Sequence, residues 1–348
     1  VTPSLLSCLA VLATATVVAA ALTGWIGAWL RRKAILDHPN ERSSHSVPTP
    51  RGGGWGIMLT LLPGWALVAL LGPGGAGFGV ASFGVPSFGV WVILAGVAVL
   101  MAVSWIDDRR NLPPAPRFLS QIAVVLAGLA ALPADGLVFQ GLLPLWADRL
   151  VVAVGWLWFV NLFNFMDGID GLAGSEAATI GGGVALVGAL AGLNPAFGLY
   201  GLVAAGGALG FLVWNWHPAR LFMGDVGSVP LGYALGWLLL SLAASGHWAA
   251  ALLIPAYFLA DATLTLLRRL VEGKKVWQAH REHFYQKATQ RGRSHAQVVR
   301  LVLALNVALV ALAALSLVLP MGWSLLLPGV GAVALLLATL ARPVRGIA

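Results

Sequence analysis

The stretch SLLSCLAVLATATVVAAALTGWIGAWL, residues 4–30, runs without a charge and stops at Arg31-Arg32-Lys33. As a helix it extends about 40 Å at about 1.5 Å per residue, more than the about 30 Å hydrocarbon thickness of a bilayer. Ten further apolar runs follow, at 54–72, 88–106, 118–132, 149–165, 176–193, 197–214, 229–245, 248–267, 297–319 and 322–340. The chain is 59% hydrophobic and 10% charged over 348 residues, where a soluble domain carries about 25% charged residues. A water-soluble fold is excluded, and the expectation is an all-α polytopic membrane protein of about eleven spans. The lone cysteine, Cys8, lies in the first run, so neither an intrachain disulfide nor a cysteine metal site can form.

Orientation comes from the basic residues. A signal peptide carries its positive charge before the apolar core, whereas here Arg31-Arg32-Lys33 follow it. That order reads as a retained helix whose C-terminal end faces the cytoplasm. With the N-terminus outside, eleven crossings put 20 of the 21 Lys and Arg inside and Arg149 alone outside, with the C-terminus cytoplasmic. The net charge of +8 therefore reports topology. Nucleic acid is not an expected partner, because the basic residues are spread over several loops without a binding module. No long-period repeat is visible, so residues 1–348 form one domain. Its cytoplasmic loops, 31–53, 106–117, 166–175, 215–228 and 268–296, collect most of the polar residues.

Five of the 13 acidic residues fall in three of those loops: Asp107-Asp108, Asp167 with Asp170, and Asp225. Like charges gathered at one membrane face raise pKa values or call for a cation. In Asn161-Leu-Phe-Asn164-Phe-Met-Asp167-Gly-Ile-Asp170 the interval of three predicts one ligand-bearing helical face, the alternative being a capped helix boundary. Phe222-Met-Gly-Asp225-Val-Gly-Ser228 places a carboxylate between glycines. Mg²⁺ commonly uses one or two carboxylates plus substrate phosphates, which makes Asp225 a candidate ligand; a helix cap is the alternative.

Two loops carry candidate anion sites. Asp37 to Gly54 joins Arg42, His45 and Arg51 to Gly52-Gly53-Gly54, whose amides could approach a phosphate; a plain linker would look similar. The last large loop contains His280-Arg281-Glu282-His283, and the two histidines could share a helical face. The pattern lacks the His-Glu-x-x-His of metalloproteases and fits phosphate binding better, while its lysines and other arginines also suit anionic lipid. Asp261 lies at membrane depth, with Arg268 or Arg269 as a candidate partner, and is either functional or structural glue.

Taken in order, the Asp37–Gly54 loop, Asp107-Asp108, Asn161 to Ala173, Phe222 to Ser228 and the histidine loop resemble the polyprenyl-phosphate N-acetylhexosamine-1-phosphate transferase superfamily. His-Arg-Glu-His-Phe-Tyr-Gln looks like the branch that initiates O-antigen; the peptidoglycan enzyme has a run of histidines there. The resemblance implies transfer of an N-acetylhexosamine or 6-deoxy-N-acetylhexosamine 1-phosphate from a UDP-sugar to undecaprenyl phosphate, releasing UMP. It implies Mg²⁺, with Mn²⁺ as a substitute, a bacterial inner-membrane location, and is compatible with a homodimer. It assigns catalysis to Asp107, Asp108, Asp167, Asp170, His280 and His283, substrate binding to Arg42, His45, Arg51, Gly53, Asn161, Asn164 and Arg281, and metal to Asp225 and Asp167.

Two rival classes remain. A transporter would place polar groups at mid-bilayer with repeat symmetry. An intramembrane aspartyl protease would need a second aspartate facing Asp225 within the bilayer.

Overall fold

The computed structural model describes residues 4–37, 39, 47–71, 88–110, 112–133, 136–275, 278 and 280–343. The described residues are helical, with one two-residue β pair among them. The long helices are α1 (Leu5–Arg32), α2 (Gly54–Leu71), α3 (Gly89–Arg110), α4 (Pro114–Gly128), α5 (Leu145–Phe165), α6 (Leu172–Leu190), α7 (Pro195–Asn215) and α8 (Asp225–Leu242). Short α9 (Trp248–Leu253), α10 (Ala256–Val271) and the seven-residue α11 (Phe284–Gln290) precede α12 (His295–Leu315) and α13 (Leu326–Leu340). Strands β1 (Leu36–Asp37) and β2 (Thr49–Pro50) pair antiparallel beside the end of α1.

Among the described residues, ten segments are long and apolar enough to span a membrane. The expected ninth span, 248–267, differs: it is two helices, α9 and α10, broken at Ile254-Pro255. Proline has no amide proton and its ring clashes with the preceding turn, which favours a break at this point. The chain turns into α9 at Gly246, whose φ of 93° suits glycine.

Burial follows position in the bundle. In the Asp225–Leu253 segment 94% of the most apolar window is buried, against 11% in α1, so α8 is the central post and α1 faces lipid. Around α8 the aromatic side chains place their polar ends on backbone carbonyls, as the absence of bulk water requires. The indoles of Trp65, Trp156 and Trp237 donate to the carbonyls of Tyr200, Tyr233 and Ala131, each at 3.0 Å. Trp156 stacks on Tyr233 at 4.8 Å between centroids, and the Tyr233 hydroxyl donates to Val124 O at 3.0 Å. Helices α1, α6 and α7 approach through small residues: a Cβ on Gly210 would stand 2.4 Å from Thr16 O, and one on Gly181 2.6 Å from Gly201 O.

The connections sort onto two faces. At one end Gln140 donates to Ala243 O at 2.8 Å, and Arg149 donates to Pro133 O at 2.9 Å beside Asp148. At the other end lie the β pair, the α3–α4 and α5–α6 turns, the start of α8 and the segment joining α10 to α12. Arg149 thus sits opposite the other described basic clusters. That second face is held by backbone pairing: the amides of Gly52 and Gly53 donate to Phe222 O at 3.1 and 2.7 Å, and Gly54 N donates to Met223 O at 2.9 Å.

A Cβ on Gly54 would stand 2.2 Å from Gly227 Cα. Gly54→Ala is therefore expected to destabilise the protein by about 2 kcal/mol or more through overpacking, lowering the thermal midpoint in detergent by about 4 °C or more. Gly182→Ala, where a new Cβ meets nothing within 4 Å, is the control and leaves the midpoint unchanged or higher.

Candidate active site

Helix α8 begins at Asp225 behind Gly224, whose φ of 74° lets the chain turn sharply into the first helical residue. The Asp225 carboxylate meets three other segments. Arg51 Nη2 lies 2.7 Å from Oδ1, Asn164 Nδ2 donates to the same oxygen at 3.2 Å, and Arg117 Nη2 lies 3.6 Å from Oδ2. Each arginine also holds a member of the α3 pair: Arg51 reaches Asp108 Oδ1 at 3.2 Å, and Arg117 reaches Asp107 Oδ2 at 2.9 Å. Three carboxylates and two guanidiniums thus alternate across the ends of α3, α4 and α8. Asp107 Oδ1 additionally accepts from Leu112 N at 2.8 Å. Asp108 Oδ2 is buried and has no hydrogen-bond partner among the described residues.

The expected face of four polar residues on α5 is only half formed. The helix stops at Phe165, so Asn161 and Asn164 are helical while Asp167 and Asp170 lie in the turn that follows. Asn164 donates to Ser228 Oγ at 2.8 Å as well as to Asp225. Asn161 instead donates to Gln121 Oε1 of α4 at 2.8 Å and back to Leu157 O. Asp167 is half-buried, and loss of water raises its pKa well above the usual carboxylate range; Arg51 opposes that rise, while Asp225 and Asp170 add to it.

Asp170 departs from its expected grouping. Its Oδ2 lies 2.6 Å from His217 Nδ1 and 3.2 Å from His295 Nδ1, and accepts from Ala219 N at 3.1 Å. Burial pushes its pKa up, but the hydrogen bonds from His295 and His217 outweigh this and hold it at about 2. The turn after Phe165 rotates it away from Asp225, which helical spacing did not foresee. Gly53 is a second correction: its amide is already given to Phe222 O and a Cβ there would stand 2.7 Å from the Phe211 ring of α7, so it serves close packing rather than an anion cradle. Arg42 and His45 lie outside the described residues.

The histidine loop is not helical at His280–His283; α11 starts after it. The two rings nevertheless stack, 4.9 Å apart with planes inclined by 28°. Asp261, fully buried, organises them. Its Oδ1 lies 3.2 Å from His283 Nδ1 and accepts from Phe284 N at 3.0 Å, while Oδ2 accepts from Tyr285 N at 3.2 Å and from the Tyr257 hydroxyl at 3.0 Å. The expected Arg269 partner goes elsewhere, to Glu282, which also meets Lys274 at 3.0 Å. The Tyr285 hydroxyl donates to Phe165 O at 2.9 Å and occupies the space above Gly168, where a Cβ would stand 2.1 Å from it. That contact brings the loop of His280, Arg281 and His283 against the turn carrying Asp167.

Arg117 and Gln121 stand outside every motif read from the sequence, while Ser228 and Tyr285 lie within quoted motifs without a site role. For Arg117 a signal existed: a lone basic residue opens the fourth apolar run, shortly after the Asp107-Asp108 pair.

Residues 90–243 match the model of glycosyl transferase family 4. Over 334 residues the chain is 31% identical to the decaprenyl-phosphate N-acetylglucosaminephosphotransferase of Mycobacterium leprae, covering 83% of this chain and 78% of that protein. The chain belongs to the polyprenyl-phosphate N-acetylhexosamine-1-phosphate transferase superfamily. The same superfamily accounts for 28% identity to a probable undecaprenyl-phosphate N-acetylglucosaminyl 1-phosphate transferase of Bacillus subtilis, over 77% of this chain and 73% of that one. It also accounts for 30% identity to the phospho-N-acetylmuramoyl-pentapeptide-transferase of a Synechococcus species, over 82% and 84%. The chain is therefore a membrane-embedded transferase.

Two measurements check the geometry. Asp261→Asn removes the charge that receives two backbone amides and faces His283; weakening hydrogen bonds to a charged group by about 1.5–3 kcal/mol should lower transfer about tenfold or more in protein that still folds. Full activity would show that the loop needs no such anchor. Burial, His283 and Arg269 push the His280 pKa down from 6.5 to about 4. The folded value lies below the ordinary one, so the contribution of neutral His280 to stability is full above about 6.5 and lost as pH falls towards 4. Histidine ¹⁵N NMR should show one ring that stays neutral to about pH 4 and is missing in His280→Gln.

Proposed function

We propose that the protein transfers an N-acetylhexosamine 1-phosphate, with N-acetylglucosamine the first candidate sugar, from a UDP-sugar to undecaprenyl phosphate and releases UMP. The product would begin a lipid-linked cell-envelope polysaccharide. The observation that carries this reading is the alternation of Asp107, Asp108 and Asp225 with Arg51 and Arg117 on the face that also bears the histidine loop. The names of the relatives support the polyprenyl phosphate acceptor and the N-acetylglucosamine phosphate. His280-Arg281-Glu282-His283 supports the O-antigen branch, in which a 6-deoxy-N-acetylhexosamine is the second sugar to test.

In the reaction an oxygen of the lipid phosphate forms a bond to the sugar-bearing phosphorus, and the bond from that phosphorus to the UMP oxygen breaks. Phosphoryl transfer depends mainly on alignment and charge neutralisation. The donor set fits a hard cation: it is made of carboxylate oxygens, and Asp108 Oδ2 is buried without another partner among the described residues. Asp225 with Asp108 and Asp167 would hold Mg²⁺ or Mn²⁺, which neutralises the diphosphate and the departing UMP. Arg51 and Arg117 have side chains 39% and 40% exposed, so each can turn from its carboxylate to an incoming phosphate oxygen. Asn164 holds Asp225 in place. The His280 ring, neutral near pH 7, offers a hydrogen bond rather than a charge, and Arg281 of the same loop adds the positive charge. No general base is required, since the lipid phosphate is already largely ionised near neutral pH.

The site face is assigned to the cytoplasm of a bacterial inner membrane. The basic residues collected on it support that side, and it is the side from which a nucleotide sugar arrives.

Membranes containing the protein are expected to release UMP from UDP-N-acetylglucosamine only when undecaprenyl phosphate and Mg²⁺ are both present, and to stop with EDTA. A folded Asp225→Ala variant should lose at least about a hundredfold, in keeping with removal of charge stabilisation at a reacting centre. Full activity in that variant would remove the metal assignment. No UMP from any UDP-sugar of a panel would overturn the transfer reading in favour of a transporter.

A further inference from the structure

Apart from the Asp225 centre, the same face holds a cluster of different chemistry. Asp170 comes from the turn after α5, His217 from the connection between α7 and α8, and His295 from the first residue of α12. One ligand atom from each lies within 4.8 Å of the other two. We propose that Asp170, His217 and His295 form a second metal site, selective for a borderline divalent transition ion of the Zn²⁺ type and separate from the all-oxygen Asp225 centre.

Hydrogen bonding alone serves the cluster poorly. Three nitrogens converge on one oxygen, Asp170 Oδ2: His217 Nδ1 at 2.6 Å, His295 Nδ1 at 3.2 Å and the amide of Ala219 at 3.1 Å. His295 Nδ1 also accepts from Asp170 N at 3.3 Å. A ring nitrogen that uses its lone pair on that amide has no proton to give the carboxylate; if it carries the proton, it faces the amide donor to donor. A cation resolves the conflict by taking the lone pairs of both imidazoles and of the carboxylate, at the expense of the long amide contact.

The dimensions agree. Zinc bound at about 2.0–2.2 Å in tetrahedral geometry sets its ligand atoms about 3.3 Å apart. The Asp170–His295 separation of 3.2 Å is already there. The 2.6 Å to His217 has to open, and the His217 side chain is free to move because 36% of it is exposed, against 9% and 11% for the other two. Three protein ligands leave a fourth position for water, and the exposed side is its entry path. Two imidazoles disfavour Mg²⁺, which prefers oxygen ligands, so the two centres sort their ions by donor type.

The three ligands belong to the turn that carries Asp167, the connection that leads to Asp225, and the helix after the histidine loop. An ion joining them would lock those segments together. The role is a clamp on the site rather than a participant in phosphate transfer, and it holds whichever sugar is transferred.

The test uses the full chain without a histidine tag, in detergent, stripped with EDTA and dialysed against Zn²⁺ at about 10 µM with excess Mg²⁺. One Zn²⁺ per chain is expected by elemental analysis, with a thermal midpoint raised by about 3 °C or more. His217→Ala and His295→Ala should each weaken retention at least tenfold, whereas Asp225→Asn should keep it. His217→Cys provides a check independent of folding losses: loaded with Co²⁺, it should show a sulfur-to-cobalt charge-transfer band absent from the wild type. No Zn²⁺ on the wild type, equal Zn²⁺ on a folded His217→Ala/His295→Ala protein, or no thiolate band from His217→Cys would each overturn the proposal.

Discussion

Everything on the site face depends on how acidic groups are kept together at the edge of a low-dielectric bundle. Two unit charges about 4 Å apart at an effective dielectric of about 20 interact by about 4 kcal/mol, so Asp107, Asp108 and Asp225 would drive apart the ends of α3 and α8 if left alone. Arg51 and Arg117 stand between them and turn repulsion into attraction. The arrangement binds four chain segments: the loop before α2, the end of α3, the start of α4 and, far along the chain, the start of α8. Under the proposed reaction, a centre held by half-exposed guanidiniums would suit anionic substrates, since either could exchange its carboxylate for a phosphate oxygen.

The supporting structure is built to the same logic. Glycines at 52–54 let a loop lie directly against the backbone entering α8, so Arg51 is delivered to Asp225 by main-chain pairing with Phe222 and Met223. Asp261 works from below the histidine loop. A fully buried carboxylate is unfavourable unless its lone pairs are taken, and here two amides, a phenol and an imidazole take them. Its charge is thereby converted into the position of His283. The break at Pro255 lets α10 carry Asp261 to that position independently of α9.

A polar residue within an apolar run raises a question that its neighbours in sequence cannot answer. Asp261 looked equally like functional machinery and structural glue, with an arginine one or two turns away as the natural partner. The partner proved to be a loop about twenty residues on. Asp170 illustrates the same limit in reverse. Its spacing from Asp167 matched a helical face, but α5 ends two residues before Asp167, and beyond a helix end an interval of three no longer fixes direction.

The all-α membrane architecture, the segregation of charge to one face and the motifs that supply its polar residues were legible in the sequence alone. Each rests on a local property: run length against bilayer thickness, side-chain type, and the order of motifs. What only the tertiary structure decided is which of those residues meet. Arg117 joins Asp107 and Asp225, Gly53 is consumed in packing, and Asp170 leaves the carboxylate cluster for His217 and His295. The physical reason is that charge pairing acts through space, between helix ends whose relative rotation is set by apolar packing deep in the bundle, and no local pattern in the chain encodes that rotation.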